Sequence, residues 1–219
     1  MIDAIIFDLD SCISAADEPG QQLFAPAFAA IRAANRGSHS ESELTQALAD
    51  MWRLPFDFVA EKYAFTQPMK DAGWHAFLNV EVTTPMRGYG DLDVLGELKV
   101  RRFLVTSGFR RLQESKIRVL NIAPLFTQIV VDALNEPNSR GKLAIIQDLI
   151  RTHHLVPSRT LIVGDNPDSE LAAGLRLGIR TVQTLRPGVP RYLEATHHIS
   201  TFHELRSLLA SVKTPGAPC

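Results

Sequence analysis

Cysteine is scarce in this chain of 219 residues: there are two, Cys12 beside the first apolar run and Cys219 inside a Pro/Gly tail. Two such distant thiols make no disulfide framework, which excludes a small stapled fold and suits a reducing compartment. An excess of either charge is also lacking. Lys and Arg number 23 against 24 Asp and Glu, a formal charge of −1, and no basic run exceeds two residues. That composition excludes an electrostatic footprint for nucleic acid or an anionic membrane, so an anionic ligand must be held by local charges. No apolar stretch approaches the roughly 18 residues of a membrane helix, and the first residues carry no basic, apolar leader. A cytoplasmic protein is expected. What the chain does have is 45% hydrophobic residues, enough for one large core or a core with an insert.

From Arg101 onward, short apolar runs alternate with helical patterns. Phe103 to Val105, Gln128 to Val131, Thr160 to Val163 and Arg180 to Val182 read as strands, with a last short strand near His198 to Ser200. Helices are predicted at Phe109 to Leu120, Gly141 to His153, Pro167 to Leu177 and Phe202 to Leu209. This alternation predicts right-handed crossovers and an α/β fold with a doubly wound parallel sheet, Ile2 to Phe7 being its central strand. Between Ile13 and Pro85 the signal is helical instead: Phe24, Phe28 and Ile31 share one face, as do Leu44, Leu48 and Met51, and Phe56, Val59 and Tyr63. Ser40 to Glu43 reads as a capping box, and Gly37 and Gly73 as helix stops. The expected organisation is therefore a core of residues 1–13 and 86–219, with an all-helical insert at 14–85. The tail from Thr214 to Cys219 reads as frayed.

In an open parallel sheet, ligands sit outside the carboxyl ends of the strands. The first strand delivers Asp8 and Asp10 there, the second Thr106, Ser107 and Gly108, and the strand from Thr160 delivers Gly164 and Asp165. Two acids one residue apart repel each other unless a cation or proton is supplied; alternatively they are turn residues ending a strand. Asp8 and Asp165 on neighbouring strand ends could share Mg²⁺, or Asp165 could be a turn acid before a helix capped by Asn166 and begun by Pro167. Thr106 and Ser107 either cap the next helix or, with its backbone N–H groups, bind a phosphoryl oxygen. Lys142 faces the wrong end of its helix dipole, which is explained if it turns inward to neutralise a phosphate and a nucleophile; Arg140 competes for that role. Asp168 and Glu170 are both first-turn acids. The seven histidines, including the pairs His153-His154 and His197-His198, read as structural or exposed, since adjacent positions diverge too far to serve one metal.

These residues in this order resemble the haloacid dehalogenase-like (HAD) superfamily, whose motifs are matched by Asp8-Leu9-Asp10, Thr106, Lys142 and Gly164-Asp165, with Glu170 as trailing acid. Asp168 is the alternative for that last position, and Cys12 departs from the usual Thr or Val. The resemblance implies a Rossmann-like core with a helical cap domain at 14–85, and a Mg²⁺-dependent phosphatase. Asp8 would then be the nucleophile that becomes an aspartyl-phosphate, and Asp10 the acid and base. Thr106, Ser107, Gly108 and Lys142 would bind the phosphoryl group; Asp8, Asp165 and the backbone carbonyl of Asp10 would hold the metal. Asp10 argues against dehalogenation, because family members that expel halide lack the second Asp. Thr106-Ser107-Gly108-Phe109 with Leu112 and Gln113 resembles the nucleotidase-like branch, which implies a small phosphorylated metabolite, a nucleoside monophosphate in particular. Arg53, Lys62, Lys70 and Arg87 are candidate contacts from the cap. A phosphomutase and a non-catalytic phosphate-binding module are the alternatives.

Overall fold

The computed structural model describes residues 1–211; the tail from Thr214 to Cys219 lies outside the described residues. Strand β1 (Ala4–Phe7) is followed by helices α1 (Ala25–Ala34), α2 (Glu41–Asp50), α3 (Phe56–Lys62), α4 (Gln67–Phe77) and a short α5 (Asp93–Glu97). Strands and helices then alternate through β2 (Arg101–Gly108), α6 (Arg110–Val119), β3 (Gln128–Ala133), α7 (Gly141–Thr152), β4 (Thr160–Gly164) and α8 (Glu170–Arg176). Two further strands, β5 (Arg180–Thr184) and β6 (His197–Ile199), and helix α9 (Phe202–Ser211) complete the described chain. No described helix is long and apolar enough to cross a membrane.

The six strands pair in parallel in the order β3-β2-β1-β4-β5-β6. The Ala-Ile-Ile-Phe run of β1 is buried throughout, as a strand covered by helices on both faces demands. Side chains alternate between those faces. Ile5, Phe7, Leu104 and Val163 enter one apolar cluster; Ala4, Ile6, Phe103 and Ile162 enter the other, against Ile145, Ile146 and Leu149 of α7. The chain fills one side of β1 with β2 and β3, then crosses back to place β4 on the other. The strand order thus reverses at β1 and β4, and the crevice beyond their carboxyl ends is where such sheets bind ligands.

Between β1 and α5 the regular elements are helical. Ser40 caps α2 with Glu43 reaching back to its backbone, the reciprocal pattern its sequence signals. Gly73 is different from its prediction as a stop, since it lies inside α4. A Cβ there would come within 2.5 Å of the Phe56 ring and 3.0 Å of Ile31, so the glycine permits close helix packing instead of ending a helix. The start of α8 also shifts: Ser169, not Asn166, precedes it. The Asn166 side chain instead accepts the Asp168 N–H at 2.9 Å, an Asx turn that carries Pro167 outside the helix.

Where the chain enters and leaves the helical segment, one buried arginine joins the two crossings. Arg186 donates to the Cys12 carbonyl at 3.1 Å, to the Ser200 carbonyl at 2.8 Å and to Asp91 Oδ1 at 3.0 Å. Asp91 Oδ2 in turn accepts the Phe202 N–H at 2.8 Å, and the guanidinium lies 4.3 Å from the centre of the Tyr89 ring.

Candidate active site

Asp8 is the first residue past β1, and its N–H donates to the Val163 carbonyl at 2.9 Å, so the ladder itself aims it beside the end of β4. Its Oδ1 is 2.7 Å from the Lys142 ammonium, which also donates to Glu170 Oε2 at 2.7 Å. All three side chains are buried. The position of Lys142 at the dipole's unfavourable end is thereby explained: two carboxylates face it. Burial disfavours its charge, yet Asp8 and Glu170 outweigh burial and hold it above the ordinary lysine range. The N-terminus of α7 is served by another acid, because the Asp132 carboxylate accepts the N–H groups of Arg140 at 3.0 Å and Gly141 at 3.1 Å. Arg140 itself pairs with Asp148 at 2.7 Å on an exposed face, so the inward cation is Lys142.

Glu170, in the first turn of α8, uses both oxygens: Oε2 accepts from Lys142 and Oε1 accepts the Asn166 N–H at 2.7 Å. Gly164 makes this possible, since a Cβ there would collide with the Glu170 carboxylate. Asp168 is exposed. One oxygen each from Asp8, Asp165 and Glu170 lie within 4.8 Å of one another. With Glu170 engaged twice, Asp8 and Asp165 are the acids with donor capacity to spare. Burial pushes Asp8 up to about 7, with Lys142 opposing and Glu170 adding to the shift. Burial, then Glu170 and Asp8, push Asp165 up to about 8. One ammonium among three carboxylates is a charge deficit, and the donors are all hard oxygens, which fits a divalent metal.

Asp10 lies on the other side of the site, gripped by α6. Its Oδ1 is 2.7 Å from the Lys116 ammonium and its Oδ2 accepts from Gln113 Nε2 at 3.0 Å. Lys116 was not singled out from the sequence, although a lysine four residues after Leu112, on the apolar face of an amphipathic helix, is the signal that could have found it. Thr106 lines the same cavity from within β2. The segment Thr106-Ser107-Gly108 does not cap α6: it remains strand, paired with Val131, Asp132 and Ala133. The Ser107 hydroxyl faces Asp132 at 3.4 Å, and the first N–H of α6, that of Arg110, is taken by Asn135 at 3.0 Å.

The cavity over these acids is closed by the helical segment. Phe24 stacks on Trp52 at 4.1 Å between ring centroids, and Phe77 stacks on Phe109 at 5.3 Å; all four line the cavity. Arg53 lines it too and donates to the Gly188 carbonyl at 2.5 Å, reaching from the helical segment to the loop after β5. Of the other proposed cations, Lys62 pairs with Asp50 at 2.7 Å and Arg87 is exposed, and neither these two nor Lys70 lines the cavity. No described histidine lines it.

Acids from two adjacent strand ends, Asp8 and Asp165, and a buried lysine joining Asp8 to Glu170 of α8 at a strand-order reversal place the chain among α/β enzymes whose acidic site lies at the strand ends. The chain belongs to the haloacid dehalogenase-like hydrolase family, whose model matches residues 2–178. The pyrimidine 5'-nucleotidase YjjG of Escherichia coli (strain K12) is 27% identical over 140 residues, a match spanning 61% of this chain and 61% of that relative. Among solved structures, the candidate HAD-hydrolase YfnB of Bacillus subtilis, bound to magnesium, superposes with a TM-score of 0.66 at 18% identity, covering 95% of this chain and 98% of that one. A candidate phosphoglycolate phosphatase of Lactobacillus plantarum gives 0.71 at 13% identity, covering 95% and 99%. These structures share the fold.

Proposed function

We propose that this protein is a Mg²⁺-dependent phosphomonoester hydrolase that works through an aspartyl-phosphate at Asp8. The observation that carries this reading is the Lys142 ammonium, 2.7 Å from Asp8 and from Glu170, with Asp165 alongside and Asp10 lining the same cavity. Asp8, Asp165 and the Asp10 carbonyl are the groups that would hold the metal, and Mg²⁺ bound there would neutralise charge on the phosphoryl oxygens. YfnB, of the same fold, is described with magnesium bound.

In the first step an Asp8 oxygen attacks phosphorus, a new P–O bond forms and the bond to the leaving oxygen breaks. Asp10 passes its proton to that oxygen, so the product departs as an alcohol. In the second step water attacks the same phosphorus, Asp10 takes the water proton, and the bond to Asp8 breaks to release phosphate. Dividing the reaction this way replaces one difficult displacement by two easier ones, and proton transfer by Asp10 contributes about 10² to 10⁴-fold. Thr106 and Lys142 orient the phosphoryl oxygens. Lys142 also favours the ionised, nucleophilic form of Asp8 against the burial that opposes it.

The helical segment 14–85 serves as the cap that excludes water and selects the substrate. Its Trp52, half-buried and lining the cavity, offers a flat apolar surface of the kind a nucleobase stacks on, with the buried Phe24 stacked against it. The substrate class is therefore nucleoside monophosphates, a reading supported by the relative named as a pyrimidine 5'-nucleotidase. The test is phosphate release from a panel of nucleotides and sugar phosphates, with Mg²⁺ or with chelator, by the native chain and Asp8→Asn. Metal-dependent release that vanishes in the variant is expected, with free phosphate matching substrate loss. Near-normal turnover by Asp8→Asn would sink the covalent mechanism, and substrate loss without free phosphate would indicate a mutase.

A further inference from the structure

The mechanism above uses Asp10 but leaves unexplained the two buried residues that grip it. Lys116 is 2% exposed and Gln113 is 3% exposed, both on α6 and both turned to the same carboxylate. Stability alone does not account for them. Lys116 is withdrawn from water to meet a carboxylate that stays 26% exposed, and an ion pair of that kind adds little stability for the desolvation of its lysine. The Gln113 amide also donates to the Ser107 carbonyl at 2.8 Å, which fixes its orientation and leaves its Oε1 buried with no protein partner, a normally unfavourable state. Gly108 belongs to the same arrangement, because a Cβ there would lie 2.7 Å from Gln113 Nε2. Three residues are thus committed to presenting one N–H donor and one ammonium to Asp10.

The two donors fix where Asp10 points. Lys116 Nζ and Gln113 Nε2 reach different oxygens of the carboxylate, at 2.7 and 3.0 Å. Held from two sides, the carboxyl group has its plane and direction set, and each oxygen keeps a further hydrogen-bonding position. We propose that Lys116 and Gln113 are positioning residues for Asp10, holding its carboxyl group in the direction from which a proton passes to the leaving oxygen. This rests on the phosphatase reading. The O–H bond of Asp10 breaks, its electron pair stays on the carboxylate facing Lys116, and the proton completes the alcohol product. The benefit is largest where the leaving group needs a proton and small where it departs readily as an anion.

The experiment compares kcat/KM for benzyl phosphate, whose alkoxide leaves poorly, with that for p-nitrophenyl phosphate, whose phenolate leaves well. In Lys116→Met the benzyl ester is expected to lose at least about 10-fold more than the nitrophenyl ester, and Lys116→Arg to recover most of that bias. A general packing defect lowers both esters equally. Should Lys116→Met not fold, Gln113→Met, which keeps the Lys116 contact, carries the test with a smaller bias in the same direction. Equal losses on both esters in the folded variants would overturn this inference and leave the phosphatase reading standing. A native chain that hydrolyses neither ester nor any member of the wider panel would overturn both.

Discussion

Lys142 and Glu170 are joined 2.7 Å apart in the interior, from the first turns of two successive helices, and the same ammonium reaches Asp8 at the same distance. One cation thereby holds the nucleophile candidate and a second acid in fixed relation. Removing the ammonium leaves two buried acids without the cation that offsets their burial. Lys142→Met is expected to lower stability by about 3–5 kcal/mol near neutral pH and to abolish turnover. Urea unfolding beside a phosphate-release assay checks both, and an unchanged midpoint would refute the first.

Asp165 makes a prediction of opposite sign. Its folded pKa of about 8 stands above the ordinary 3.8, so the folded state binds the proton more tightly than the unfolded chain does. The associated penalty is absent below the unfolded value, grows as pH rises, and is complete once pH passes the folded value. In the absence of metal, Asp165→Asn should therefore be more stable than the native chain at pH 8, by a few kcal/mol at most (, about 1.4 kcal/mol per pKa unit). The advantage should shrink steadily toward pH 4. Melting temperatures of both proteins in chelator across that range test the slope. A difference independent of pH would exclude the titration of Asp165 as its source.

Gly164→Ala tests the close approach at the end of β4. The added methyl must displace the Glu170 carboxylate, and overpacking of this kind costs about 1–3 kcal/mol. Activity should fall further than stability, because the displaced Glu170 releases Lys142. Retention of full kcat in Gly164→Ala would show that the Glu170 contact is dispensable.

The aromatic wall sets a selectivity prediction. Trp52, stacked on Phe24, is expected to contribute stacking to a bound nucleobase worth about 1–3 kcal/mol. Trp52→Ala should raise KM for nucleoside monophosphates about 10-fold or more and change KM for ribose 5-phosphate little. Equal changes for both substrates would remove the nucleobase from the argument.

The legible parts of this fold were those governed by local periodicity. Alternating apolar runs located the strands, since a doubly covered strand has few other compositions, and the Ser40 to Glu43 spacing located a helix start. Gly73 was misread because the same residue that ends helices also allows two helices to touch; only Phe56 and Ile31, distant in sequence, distinguish the cases. Asn166 and Pro167 were misread because an Asx turn and an N-cap use the same residues. Among the candidate site residues, strand-end acids were visible as such. Lys116 and Asp132 were not, since their roles depend on the rotation of α6 and on the register that sets Asp132 beside Ser107. Arg186 was invisible for the same reason: its partners Cys12, Asp91 and Ser200 come from three separate parts of the chain.

That arginine has a mechanical consequence. The chain passes into the helical segment just beyond Cys12 and returns just before Asp91, and Arg186 grips both points while Asp91 is pinned in turn to the start of α9. The two crossings are therefore riveted into one joint. Away from that joint the segment is fastened to the rest of the chain by the Arg53 bond to the Gly188 carbonyl, by Glu81 paired with Arg111 and Arg118 of α6, and by Phe77 stacked on Phe109, so any opening of the cavity has to undo these fastenings while the joint at Arg186 holds.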